Sequence, residues 1–111
     1  MGAGVGADGW LGVGWPREWG GQGRTAIEQQ IWFEEARRAG APLPFVTLNT
    51  VGPALIARGS EAQKRRFLPG CVSGETILGI AMTEPGAGSD LAGLKTRAED
   101  RGDHFLLNGA K

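Results

Sequence analysis

The chain has 111 residues, and twelve lysines and arginines balance twelve aspartates and glutamates for no net charge. That length serves one small domain, not two with separate cores. The charge balance leaves no footprint for nucleic acid or an anionic membrane surface. A single cysteine, Cys71, excludes an internal disulfide. The only histidine, His104, argues against a zinc site of these ligand types, so no metal is expected.

Nine of the 20 glycines fall within residues 1–23, so the excess is local and is not a collagen-like or low-complexity signature. That stretch, containing "GWLGVGWPREWGGQG", holds no sustained period of 3.6 or 2 and reads as loop. Three of its residues are tryptophans, Trp10, Trp15 and Trp19, which suggests a loop pinned against an apolar surface. No charged-then-apolar leader opens the chain, so the expected location is the cytoplasm.

Thr25 is a candidate cap for a helix over "AIEQQIWFEEARRAG". Ile27, Ile31, Trp32 and Ala36 lie at helical spacing, Glu34 and Arg38 form an i,i+4 pair, and Gly40 ends the helix. A second helix is predicted from near Pro44 to about Arg58, bent or interrupted at Gly52–Pro53. The uncharged run from Ala41 to Ala57 approaches the length of a membrane span. Its prolines and polar residues read instead as a buried helix. Ser60 and Gln63 make a capping box for a third helix, with Glu61 in its first turn. Phe67 and Leu68 supply its apolar face, and Pro69–Gly70 weaken its end.

The second part of the chain changes character. Thr76 to Met82 is a short apolar run that predicts a buried strand. Leu94 to Glu99 and His104 to Leu107 are further candidate strands, with "DRGD" as the turn between them. Asn108–Gly109 is a strong hairpin signal, yet only Ala110 and Lys111 follow it. The expectation is a fragment of a larger protein, cut inside a β-region.

Several motif lookalikes carry little. "GVGADG", Gly4 to Gly9, matches a dinucleotide pattern but lacks the strand before it and the helix after it that the chemistry requires. Lys64 to Arg66 reads as a solvated helix face, and "RGD" as a tight turn. Cys71 has no histidine nearby and reads as a small buried residue, and His104 as a surface one.

The stretch that points to chemistry is "AMTEPGAGSD", Ala81 to Asp90. Pro85 fixes one φ, Gly86 and Gly88 permit close backbone approach, and Thr83 and Ser89 carry hydroxyls. Ser89–Asp90 is also placed to cap a short helical turn over "LAGL" and gather N–H groups at one point. Such a loop suits a phosphate or the acceptor atoms of a heteroaromatic ring. It is equally suited to a tight connection without a ligand, and the residues alone leave both readings open.

"TEPGAGSDLAGLKTRAEDRGDHFLLNGAK" resembles the signature of the acyl-CoA dehydrogenases. "GWPREWGGQG" and "GSEAQKRRFLPGCVSGE" resemble the same family in the same order, so the likeness covers nearly the whole chain. It implies an α+β fragment: the helical N-terminal part of that fold, then the first strands of its β-barrel-like middle domain. Residues 1–74 would belong to the N-terminal all-α domain and residues 75–111 to the start of the middle β-domain. The C-terminal helical domain would be absent.

The resemblance implies FAD as cofactor, with Ile80, Ala81, Met82, Thr83, Gly88 and Ser89 against it and Ser89 also near the acyl-CoA. The implied reaction is α,β-dehydrogenation of an acyl-CoA thioester to the trans-2-enoyl-CoA, a step of fatty acid or lipid metabolism. Electron-transfer flavoprotein would be the acceptor, and a dimer or tetramer the assembly. The family's general base lies in the missing domain, so no catalytic residue is expected here, and Glu84 matches a structural position. The fragment alone would then be inactive. Ile80 stands where many family members carry an aromatic residue, which puts the flavin packing there in doubt. The N-terminal loop hints at relatives acting on bulky or steroid-derived acyl-CoAs. Two alternatives remain: a non-catalytic binding or subunit-contact module built from the same fold, and an acyl-CoA oxidase that uses oxygen.

Overall fold

A computed structural model describes the backbone of residues 2–111 and side chains from Gly4 onward; Met1 lies outside the described residues. The chain divides into two compact units, Met1–Gly79 and Ile80–Lys111. The first is helical: α1 (Gly2–Ala7), α2 (Ala26–Arg38), α3 (Gly52–Arg58) and α4 (Glu61–Ser73), with 3₁₀ turns at Trp10–Gly12 and Arg17–Trp19. The second holds a 3₁₀ turn, Leu91–Gly93, and two antiparallel strands, β1 (Arg97–Asp100) and β2 (Phe105–Asn108).

The helix starts form as their sequences predict. Thr25 Oγ1 accepts from the Glu28 amide at 3.2 Å while the Glu28 carboxylate accepts from the Thr25 amide at 2.8 Å. Ser60 and Gln63 repeat the arrangement at 3.2 and 2.9 Å. Each box satisfies two backbone donors that a helix start leaves unpaired. Gly74 ends α4 in the left-handed region at φ 83°. Pro69 does not stop α4 early: the helix runs on to Ser73 with Pro69 on its exposed side.

Three expectations fail in the first unit. The N-terminal stretch is not all loop, since Gly2–Ala7 is helical. Its contact surface has no apolar period because it is made by absence of side chains: a Cβ on Gly6 would lie 1.9 Å from the Ser73 carbonyl oxygen of α4. On α2, Phe33 and Ala36 are buried whereas Ile27 and Ile31 are exposed. The packed stripe is Gln29, Phe33, Ala36, and its first position is polar because Gln29 bridges the Gly14 amide (2.8 Å) and the Asn49 side chain (2.8 Å). Arg38 pairs with Glu35 at 2.6 Å rather than with Glu34, which accepts from Gln30.

The predicted interruption at Gly52–Pro53 is a π-type turn over Thr47–Val51. The Gly52 amide bonds the Thr47 carbonyl, five residues back, and Pro53 has no N–H to offer the next one. The Leu48 carbonyl is thereby left without a helical donor in a fully buried position. The Trp15 indole N–H takes it at 3.0 Å. Trp15 is the pinned tryptophan of the N-terminal stretch, and Trp19 packs partly buried against the same core. Trp10 is half-exposed, its ring centroid 5.2 Å from that of Trp32. Leu11, Trp15, Phe33, Leu48, Leu68, Cys71 and Val72 form the core of this unit. Burial raises the Cys71 thiol pKa, which suits an apolar filler and not a nucleophile.

In the second unit the ribbon pairs Arg97 with Asn108 and Asp100 with Phe105, so both strands are shifted from their predicted bounds. "RGD" is the turn, with Gly102 at φ 91° and its amide bonded to the Asp100 carboxylate at 2.8 Å. His104 is exposed, as expected. All eight strand residues are exposed, and Asn108–Gly109 closes no hairpin among the described residues. No described helix is long and apolar enough to cross a membrane.

Replacing Trp15 with Phe keeps most of the ring but leaves the Leu48 carbonyl buried and unbonded. Chemical denaturation should then show a loss of about 1–3 kcal/mol. Gly52→Ala should cost a similar amount or more by overpacking, because its Cβ would lie 2.1 Å from Trp15 Cζ2.

Candidate functional site

The run Thr76 to Met82 is not a strand. Its backbone is unpaired along most of its length, and Ile77, Ile80 and Met82 are exposed. Strand geometry needs a neighbour to accept its ladder of hydrogen bonds, and no described segment supplies one. The run is tied down at its start, where the Leu78 amide donates to Thr47 Oγ1 at 2.9 Å and that hydroxyl donates to the Leu78 carbonyl.

After Thr83 the chain doubles back. The Glu84 amide donates to the Ala87 carbonyl at 2.9 Å and the Ala87 amide returns to the Glu84 carbonyl at 3.1 Å, with Pro85–Gly86 at the tip. The reciprocal pair places Thr83 and Gly88 next to each other at the open end of the turn. Ile80, Ala81, Met82 and Thr83 lead into it, and Gly88 and Ser89 lead out. All six are exposed. The backbone N–H groups from Gly79 to Thr83 donate to no group among the described residues. Gly86 and Gly88 do not serve close approach within the chain, since a Cβ on either would meet nothing within 4 Å.

Glu84 is the anchor of this turn. Its buried carboxylate accepts from the Lys95 amide at 2.7 Å and the Thr96 amide at 3.0 Å. It also pairs with the Lys111 ammonium at 3.2 Å. Lys111 in turn donates to the Met82 carbonyl at 2.9 Å. These contacts, the Lys95 amide first, then Thr96, with Lys111 adding to both, outweigh desolvation and pull the carboxyl from 4.5 to about 2. A carboxylate held ionised by three donors is a poor proton acceptor, so Glu84 is a fastener and not a base.

Two features were not anticipated. Ser89–Asp90 does not cap "LAGL": neither side chain bonds the turn, which is a three-residue 3₁₀ turn too short to gather amides. Lys111 reads from the sequence as a trailing residue; the signal for its role is a lone cation after a glycine turn and a lone acid within "TEPG". A cleft of about 730 Å³ in the helical unit is lined by Arg17, Gly21, Gln22, Gly23, Arg24, Thr25 and Glu28. It offers little to a ligand, because the amides of Gly21, Gln22, Gly23 and Arg24 all bond carbonyls of the preceding loop. Among the described residues no cluster of metal-ligating side chains occurs.

The model of the acyl-CoA dehydrogenase N-terminal domain matches residues 3–75. The chain belongs to the acyl-CoA dehydrogenase family. It is 58% identical over 107 residues to acyl-CoA dehydrogenase FadE29 of Mycobacterium tuberculosis, covering 96% of this chain and 28% of that protein. It is 39% identical over 104 residues to the mitochondrial isovaleryl-CoA dehydrogenase of Pongo abelii, covering 91% and 25%. Among solved structures it is similar to the Tcur3481-Tcur3483 steroid ACAD, with TM-score 0.91, 56% identity and coverage of 97% and 28%. It is also similar to the ChsE4-ChsE5 complex from Mycobacterium tuberculosis, with TM-score 0.90, 51% identity and the same coverage. The chain thus spans about a quarter of the length of these relatives. Its helices followed by two antiparallel strands are the helical N-terminal part of the acyl-CoA dehydrogenase fold and the opening of its β-region.

The Glu84 carboxyl carbon should titrate near pH 2 in an NMR acid titration, along with the Lys95 and Thr96 amides. The folded value lies below the unfolded one, so its contribution to stability is complete above about pH 4.5 and fades as pH falls toward 2. Glu84→Gln should remove that part of the acid dependence. A midpoint near 4.5 in the unaltered chain would show that the turn is not fastened this way.

Proposed function

We propose that the protein carrying this chain is an FAD-dependent acyl-CoA dehydrogenase that converts an acyl-CoA thioester to the trans-2-enoyl-CoA. The observation that carries the reading is the segment Ile80–Thr83 in a chain of this family: an exposed backbone whose N–H groups bond nothing among the described residues, leading into a fastened turn. Amides and hydroxyls facing outward fit the acceptor-rich edge of a flavin ring. The open space over Gly86 and Gly88 fits a bulky group approaching from outside the chain. FAD would supply the hydride acceptor for the substrate's β-carbon.

The residues present would bind and orient. Amides around Ala81 and Met82 and the Thr83 amide and hydroxyl would bond flavin heteroatoms and stabilise the charge gained on reduction. Gly88 and Ser89 would lie toward the cofactor's phosphates, with the Ser89 hydroxyl also reaching the acyl-CoA. No residue of this chain is assigned the α-proton; that base is placed in the protein's C-terminal helical domain. The chain alone would be inactive, with residues 1–74 in the α-domain and 75–111 in the β-domain. We assign electron-transfer flavoprotein as acceptor, an oligomer as the working form and the cytoplasm as its place. The likeness to a steroid ACAD favours a bulky acyl group.

The full reading frame, expressed and purified, should be yellow with flavin absorption bands that bleach on anaerobic addition of an acyl-CoA. A colourless, folded product would sink the proposal in favour of a non-catalytic module. Bleaching followed by rapid reoxidation in air with peroxide release would replace the dehydrogenase by an oxidase.

A further inference from the structure

The Lys111 ammonium reaches back 29 residues to the carbonyl of Met82 at 2.9 Å, with the Glu84 carboxylate 3.2 Å away to balance its charge. A peptide unit is planar and trans, so its C=O and N–H point in opposite directions. Fixing the Met82 carbonyl on Lys111 therefore aims the Thr83 N–H away from Lys111. On the other side of Thr83, the Glu84 amide is fixed on the Ala87 carbonyl at 2.9 Å. Both peptide planes that flank Thr83 are thus anchored, while its own amide and hydroxyl bond nothing among the described residues and its side chain is exposed.

The ammonium is a strong donor on a carbonyl, a charge-assisted bond that holds better than a neutral one. Its own mobility is restrained, because Lys111 is three-quarters buried along its side chain and Glu84 is pinned by the Lys95 and Thr96 amides at 2.7 and 3.0 Å. The chain of contacts runs from Lys95 and Thr96, just before β1, through Glu84 and Lys111 to the peptide before Thr83. Each member is fastened to the next, and the free donors lie at its end.

We propose that Lys111, seated by Glu84, is a positioning residue that presets the Thr83 amide toward an acceptor-bearing heteroaromatic ring. This rests on the flavin reading above. Lys111 touches no reacting atom; it acts through the Met82 peptide. Presetting donors before the ring arrives removes the reorganisation that binding would otherwise require, so the effect falls on cofactor affinity and on the flavin's electronic environment.

The test uses the full-length protein, its Lys111→Met variant and its Lys111→Arg variant. The readouts are the flavin dissociation constant, the shape and position of the visible band, and the thermal unfolding midpoint of the flavin-free form. Lys111→Met, which keeps the aliphatic stem, should weaken flavin binding at least tenfold and shift the band, while Lys111→Arg stays within about threefold of the parent. A purely structural role would lower the unfolding midpoint and leave the band of the flavin that still binds unchanged, and that outcome overturns the inference. So does Lys111→Met binding flavin as tightly as the parent with the same band. A parent protein that takes up no flavin overturns the proposed function and the role of Lys111 together, which distinguishes the two failures.

Discussion

The helical unit depends on one carbonyl. Pro53 cannot donate, the Gly52 amide has gone to Thr47, and Leu48 is fully buried, so its oxygen must find a donor from elsewhere in the sequence. Only a group that is itself carried into the core can reach it. The Trp15 indole does so while its ring fills the space over Gly52, where no Cβ would fit. The same residue thus satisfies the polar defect of a π-type turn and packs the gap beside it. It also brings in the glycine-rich stretch, whose backbone closes around it: a Cβ on Gly21 would lie 2.1 Å from the Trp15 carbonyl oxygen.

The turn over Pro85–Gly86 meets a different constraint by a similar route. It has almost no apolar burial to hold it, with only Ala87 and Glu84 buried. A hydrophobic anchor is unavailable, so the turn is fastened by a carboxylate that collects two amides and an ammonium. Burying one unpaired charge is costly, but here the charge is balanced and its oxygens are occupied. Fastening by hydrogen bonds has a directional consequence that apolar packing lacks. It fixes which way peptide planes face, and that is the property a site built from backbone donors requires.

What the sequence disclosed follows the range of the interactions. The Thr25 cap, the Ser60–Gln63 capping box, the interruption at Gly52–Pro53 and the "RGD" turn are decided within a few residues, and each formed where its residues pointed. Helix α1 and the packed stripe of α2 were illegible for the opposite reason. Gly6 makes its contact by lacking a side chain, and Gln29 sits on a core-facing stripe because two distant groups, Gly14 and Asn49, need its amide. The run Thr76–Met82 carries a strand's composition, yet composition cannot supply the pairing partner. For the candidate site, the turn and the exposed Thr83 and Ser89 hydroxyls were visible in "TEPGAGSD", whereas the unbonded amides from Gly79 to Met82 precede that stretch. The Lys111 contact was not, because nothing local marks a residue that closes a loop 29 positions away.

The glycines sharpen the distinction between holding a fold and leaving room for something else. At Gly6, Gly12, Gly21 and Gly52 the chain itself would collide with an added Cβ, at 3.0 Å or less, so its own packing accounts for the residue. At Gly79, Gly86 and Gly88 nothing of the chain lies within 4 Å and φ is not in the left-handed region. A glycine in such a place carries the entropic cost of a flexible backbone without a packing return inside the unit that holds it. Gly79 begins, and Gly86 and Gly88 follow, a segment whose backbone N–H groups donate to no group among the described residues. A crowded glycine is explained by the fold, whereas the packing of the described residues gives no reason for these open ones.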